Sequence, residues 1–181
     1  MSSKKAFLLF LLLAAAQIAV PASMIAQHEN VLRAGRVYKF KTAPVDPADA
    51  FRGRYVALHM KEDSGPGEAD VQWKPNRLVH AELSVDSEGF AHIARVTAKP
   101  PEGRDYVNVR VWYADGPRVY VKWPIDRYYM SEWKAPQAEA LYREHSRRGN
   151  EEAYITVRVL NGDAAIEGLY IEGKPIEKLI K

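Results

Sequence analysis

From Ala6 to Ala26 the chain reads AFLLFLLLAAAQIAVPASMIA, without one charged residue. At 1.5 Å of rise per residue a helix of that length reaches about 31 Å, which matches the roughly 30 Å of a bilayer's hydrocarbon. A run apolar on every face has one other home, the middle of a large core, and a chain of 181 residues has too little surrounding core to cover it. Gln17, Pro21 and Ser23 interrupt the run, and a helix in lipid tolerates them when the polar groups find partners on its own backbone or on a neighbouring helix. Two readings of the segment stay open. In the first, Lys4 and Lys5 hold residues 1–5 in the cytoplasm, residues 6–26 remain as a transmembrane anchor, and residues 27–181 form an exported domain. In the second, the two lysines are an n-region, Phe7 to Leu13 an h-region, and Ala14-Ala15-Ala16 or Val20-Pro21-Ala22 a cleavage site that releases a secreted structural protein. The apolar stretch outruns the roughly 7–15 residues of a signal h-region, which favours the anchor. Arg33, Arg36, Lys39 and Lys41 follow the span and compete with the N-terminal lysines in setting its direction. The expectation is a single-pass membrane protein with its C-terminal domain outside the cytoplasm.

Charge and cysteine content narrow the chemistry of the remainder. The 26 basic and 23 acidic residues differ by three, and Lys4 and Lys5 account for most of that excess. A domain so nearly neutral has no bulk field to gather nucleic acid, and no nucleic-acid partner is expected. The absence of cysteine excludes disulfides, thiolate metal sites and a cysteine nucleophile.

Past the span the patterning is that of strands. Residues 37–41 alternate and place Tyr38 and Phe40 on one face. Pro44 and Pro47 bound a turn, and residues 51–60 form a second extended stretch in which Gly53 suggests a bulge. Residues 61–76 show no periodicity and read as a mobile surface loop with Trp73 pinning its return. Three hairpin turns follow. Asn161-Gly162 is the preferred pair for a type I′ turn, Asp115-Gly116 joins two valine-rich runs with Val107, Val109, Val111 and Tyr113 on one face, and Asp86-Ser87-Glu88-Gly89 makes a looser reversal. Between the last two strand groups, Pro136 opens a helix whose Ala138, Leu141, Tyr142 and His145 share a face, with Gly149 as its stop. The pairs Glu139–Arg143 and Glu144–Arg148 mark the solvated side of that helix. The fold class expected is mainly β: an antiparallel β-sandwich or partly closed barrel with one surface helix, preceded by one N-terminal transmembrane helix.

Residues 42–47, TAPVDP, followed by FRGRYVAL at 51–58, resemble the hallmark of the GDYXXLXY protein family. Gly53, Tyr55 and Leu58 match the letters of that motif; Arg54 stands at its aspartate and Met60 at its last tyrosine. PIDRYY at 124–129 with Glu132, and GLYIEG at 168–173, resemble two further parts of the family's pattern, so the likeness covers most of the chain. It implies a bacterial protein with an N-terminal membrane helix and an exported, mainly β domain, in a family whose biochemical role is uncharacterised. Arg54 also counts against any role for the motif's acidic position, because a guanidinium does not replace a carboxylate.

The densest polar cluster surrounds the motif. Arg52 or Arg54 offers a fork for a carboxylate or phosphate, and Tyr55 adds a ring and a hydroxyl; the structural alternative has Arg52 clamping Asp46 or Asp49 across the proline turn. For acid–base catalysis Asp46 and Glu132, with Tyr55 beside them, are the weak candidates an envelope hydrolase would recruit. His59, His80 and His92 fall on strands but lack close ligand spacing, and no metal or cofactor is expected; no serine sits in a nucleophile elbow. Without a catalytic constellation, the leading expectation is not an enzyme but a binding or assembly module at the cell envelope. Its candidate surface is Arg52, Arg54, Tyr55, Tyr128, Tyr129 and Trp133; its partners are the lipid bilayer, through Ala6 to Ala26, and another membrane protein.

Overall fold

The computed structural model describes residues 3–43, 55–147 and 153–180. Helix α1 (Ser3–Ala34) opens the chain and runs for 32 residues. It passes through Pro21, which lacks the amide for one intrahelical bond, and Ser23 satisfies its own hydroxyl by donating to the Val20 carbonyl at 2.7 Å. The segment Phe7–Ala34 is long and apolar enough to cross a membrane, and none of its most apolar stretch is covered by the rest of the protein. A core helix would be covered. The helix does not stop at Ala26 but continues two more turns to the domain.

The body is built from antiparallel strands. One five-stranded sheet consists of β1 (Arg36–Ala43), β3 (His59–Met60), β10 (Ala153–Leu160), β11 (Asp163–Ile171) and β12 (Lys174–Pro175), in the spatial order β12-β11-β10-β1-β3. The other consists of β4 (Ser64–Pro66), β5 (Leu78–Val85), β6 (Ala91–Thr97), β7 (Tyr106–Asp115) and β8 (Arg118–Lys122), in the order β4-β8-β7-β5-β6. This second sheet curls until its ends meet: beyond β4, Gly67 bridges Val96 of β6 and the Glu68 amide donates to the Val96 carbonyl at 3.0 Å. A side chain at Gly65 would stand 2.5 Å from Ile93 Cγ2, so only glycine lets β4 lie this close to β6. The result is a nearly closed barrel with its edge strands protected. The two sheets touch where the Asn108 amide donates to the Gly162 carbonyl at 2.8 Å.

The core follows the period-2 pattern. Tyr38 and Phe40 of β1, Val107, Val109 and Val111 of β7, Val119 and Val121 of β8, and Ile155, Val157 and Val159 of β10 are all buried. Tyr113 departs from the expected face. The β7–β8 register shifts between Val111 and Tyr113, and that extra residue turns Tyr113 outward to stack on Tyr120, ring centroids 4.2 Å apart. The three hairpins form as expected: Asn161 and Gly162 both take positive φ, 51° and 88°, and the Asp86 carboxylate accepts from the amides of Glu88 and Phe90 to brace its turn.

Two stretches differ from their sequence reading. Residues 61–76 are not one long loop, because β4 lies within them; a three-residue strand containing glycine and proline carries too little alternation to be seen. Residues 55–60 do not make one strand either. Tyr55–Ala57 is β2, which pairs with β9 (Arg127–Tyr129) as a separate two-stranded ribbon, whereas His59–Met60 pairs with β1. At the break, the Leu58 amide donates to the Asp126 carbonyl at 2.9 Å. Helix α2 (Ala135–Arg147) buries Ala138 and Tyr142, half-buries Leu141 and His145, and anchors through the Tyr142 hydroxyl, which donates to the Ala43 carbonyl at 3.0 Å. Its Glu139–Arg143 pair forms at 3.2 Å. Gly53, Gly149 and Arg148 lie outside the described residues.

Candidate functional site

The ribbon of β2 and β9 gathers the aromatic residues of two distant segments. Its register sets Tyr55 opposite Tyr129, Val56 opposite Tyr128 and Ala57 opposite Arg127. Alternation then divides it into two faces. Val56 is fully buried and Tyr128 half-buried on the inner face, where the Tyr128 hydroxyl donates to the Glu177 carboxylate. Burial, that hydrogen bond and the carboxylate's charge together push the Tyr128 phenol well above its ordinary range, so it is a structural donor and not an acid at any physiological pH.

The outer face is the functional candidate. Tyr129 is 67% exposed, and its ring meets Tyr55 edge-on at 5.7 Å. The Arg127 guanidinium lies over the Tyr55 ring, 5.1 Å from its centre, and its hydrogen bond with Tyr129, followed by the charge of Asp126, holds it above the usual arginine range. Past β9 the chain turns toward α2, exposing Glu132 and leaving Trp133 89% exposed. Four side chains of the kinds that dominate protein contacts, Tyr55, Arg127, Tyr129 and Trp133, thus stand within one ribbon and its exit turn.

Of the residues singled out from sequence, Tyr55, Tyr128 and Tyr129 come together, although Tyr128 faces inward. Asp46, Arg52 and Arg54 lie outside the described residues. Arg127 was visible only as a letter in the RYY run; the signal for its role is the alternation that puts it on the Tyr129 face. The histidines are scattered: His80 hydrogen-bonds Asn108 at 2.8 Å, His59 stands 3.8 Å from Asp63, and no group of three or more metal-ligating side chains occurs among the described residues.

The helix and the domain are joined without slack. Val31 of α1 is buried, the Gly35 amide donates back to the Val31 carbonyl at 2.9 Å, and Gln27 donates to the Asp163 carboxylate at 2.6 Å. Arg158 of β10 ties the junction by donating to the Gly35 carbonyl at 3.1 Å while gripping Glu167 of β11 at 2.7 and 3.0 Å. The β10–β11 hairpin is therefore held against the end of the apolar helix.

A family model described as GDYXXLXY protein matches residues 17–169, from within α1 to β11. No curated protein and no solved structure matches the chain. The motif acquires a physical reading here: Tyr55 faces outward on the ribbon, Leu58 is the buried pivot between ribbon and sheet, and Met60, at the motif's last tyrosine, is buried against β1.

Proposed function

The chain belongs to the GDYXXLXY protein family, and from that premise we propose that it is a single-pass protein of the inner membrane whose β domain works on the periplasmic side as a binding or assembly module. The observation that carries this reading is the outer face of the ribbon and its exit turn, where Tyr55 and Tyr129 stand beside Arg127 and Trp133, past the end of β9, is 89% exposed. Exposed aromatic clusters next to an arginine are the composition of contact hot spots. The partner that suits them is another membrane protein, since a domain joined so closely to an apolar helix meets other proteins at the bilayer surface.

The test is capture from native membranes with a photo-crosslinking residue at position 57, opposite Arg127 on the ribbon. Tyr129→Ala and Trp133→Ala, each costing about 2 kcal/mol or more at a hot spot, should release the captured protein while leaving the melting temperature unchanged. A catalytic acid or base supplies about 10²–10⁴-fold in rate. If Asp46→Asn or Glu132→Gln abolished cellular function with unchanged melting and unchanged capture, an envelope hydrolase would replace the binding module.

A further inference from the structure

A second site lies at the seam between the two sheets, lined by none of the ribbon's outer-face side chains, although Asp126 on its rim pairs with Arg127. There the chain leaves β3 for β4 and leaves β8 for β9, and the strands part around a cleft of about 360 Å³, at the small end of the range for ligand clefts. Two tryptophans line it. Trp123 is fixed, its ring meeting Phe40 edge-on at 5.2 Å and its indole N–H donating to the Glu62 carbonyl at 2.9 Å. Trp112 keeps half its surface exposed although it lines the cleft. Met60 and Ile125, both buried, contribute an apolar floor.

The polar groups around the cleft decide what it can hold. Asp63 and Asp126 bring two carboxylates against the one ammonium of Lys122, with the His59 imidazole 3.8 Å from Asp63, so groups of both signs face the cleft. Asp63 is set in place by its own carbonyl, which accepts the Val121 amide at 2.8 Å, and Asp126 already has Arg127 at 3.5 Å. A phosphate-bearing ligand would face two carboxylates, and a cationic side chain would face Lys122. A wholly apolar ligand would strip water from four polar side chains without replacing their hydrogen bonds. What fits is an uncharged ring with one apolar face to lie on an indole and an edge of hydroxyls for carboxylate, ammonium and imidazole. We propose that the seam cleft binds a neutral pyranose ring of a glycan strand, stacked on Trp112 and hydrogen-bonded by Asp63 and Lys122.

The experiment uses the full chain in lipid nanodiscs with no partner protein present, so its outcome is independent of the capture experiment on the ribbon. Chitotetraose and cellotetraose, both neutral, are titrated while tryptophan fluorescence is followed. Saturable quenching by either one is expected, at affinities tighter than about 10 mM. Trp112→Ala should weaken it about tenfold or more, as truncating an aromatic anchor does, while Trp112→Phe keeps part of the binding. Trp112 is exposed, so its loss leaves the fold standing; should the alanine variant nonetheless melt early, Lys122→Ala must show the same weakening. No saturable signal with either sugar, or equal binding by these variants and the parent, overturns the proposal.

Discussion

Tyr38 combines a buried ring with a hydroxyl that donates to Asp105 at 2.6 Å, while Arg36 reaches the same carboxylate at 3.2 Å. Burial first, then the hydrogen bond and the charge of Asp105, raise the phenol from 10.0 to about 12, with Arg36 offsetting part of the rise. The folded chain therefore holds this proton more tightly than the unfolded chain does. Its contribution is whole below pH 10 and is lost as pH climbs from 10 to about 12. Tyr38→Phe should cost about 0.5–1.5 kcal/mol at neutral pH and flatten the alkaline decline of unfolding free energy measured with denaturant. Parallel declines in parent and variant would place that loss on other groups. The burial of Tyr38 and Phe40 was legible in their alternation. Asp105 as partner was not, because no local pattern links residues 67 positions apart, and the same holds for Tyr128 and Glu177, separated by 49.

Among the elements, the turns were the most legible because their chemistry is local: Asn161-Gly162 and Asp86 to Gly89 reverse the chain where turn residues predict. What a turn touches is set by the fold. Gly89 and Gly162 have nearly equal φ, 86° and 88°, but a Cβ at Gly89 meets nothing within 4 Å, whereas one at Gly162 would stand 2.5 Å from Asn108 Nδ2 and 2.6 Å from Tyr106. Gly89→Ala should cost about 1–2 kcal/mol from backbone strain alone. Gly162→Ala should add about 1–3 kcal/mol of crowding where the two sheets meet. Thermal melting of both variants checks the order; equal losses would mean that Asn108 swings aside freely. The elements that escaped the sequence reading were short ones whose partners decide their state: β4, too brief for alternation, and the β2–β3 step, where Leu58 bonds to Asp126 and divides one apparent strand between two partners.

For the whole molecule, the class of fold and the apolar helix were both readable, since strand alternation and a bilayer-length run are strong signals. The ribbon was readable only in part: its aromatic letters stood out, but β2 and β9 meet across some 70 residues of intervening barrel, and Asp46, Arg52 and Arg54 fall outside the described residues. If the apolar helix is kept as an anchor, a reporter fused after Lys181 that works only when exported should be active, and the mature protein should begin near residue 1. A mature N-terminus at Gln17 or Ser23 would leave a secreted protein instead. The union of α1 with the β10–β11 hairpin through Val31, Gly35 and Arg158 has a mechanical meaning as well. A domain on a floppy leash sweeps a hemisphere and samples whatever drifts by, whereas this one is mounted like a signpost, at one altitude and one compass bearing for each tilt of its post. If the helix is kept in a bilayer, the domain's encounters would be set by lateral diffusion in that plane, and a docking protein would have to arrive already oriented by the same bilayer.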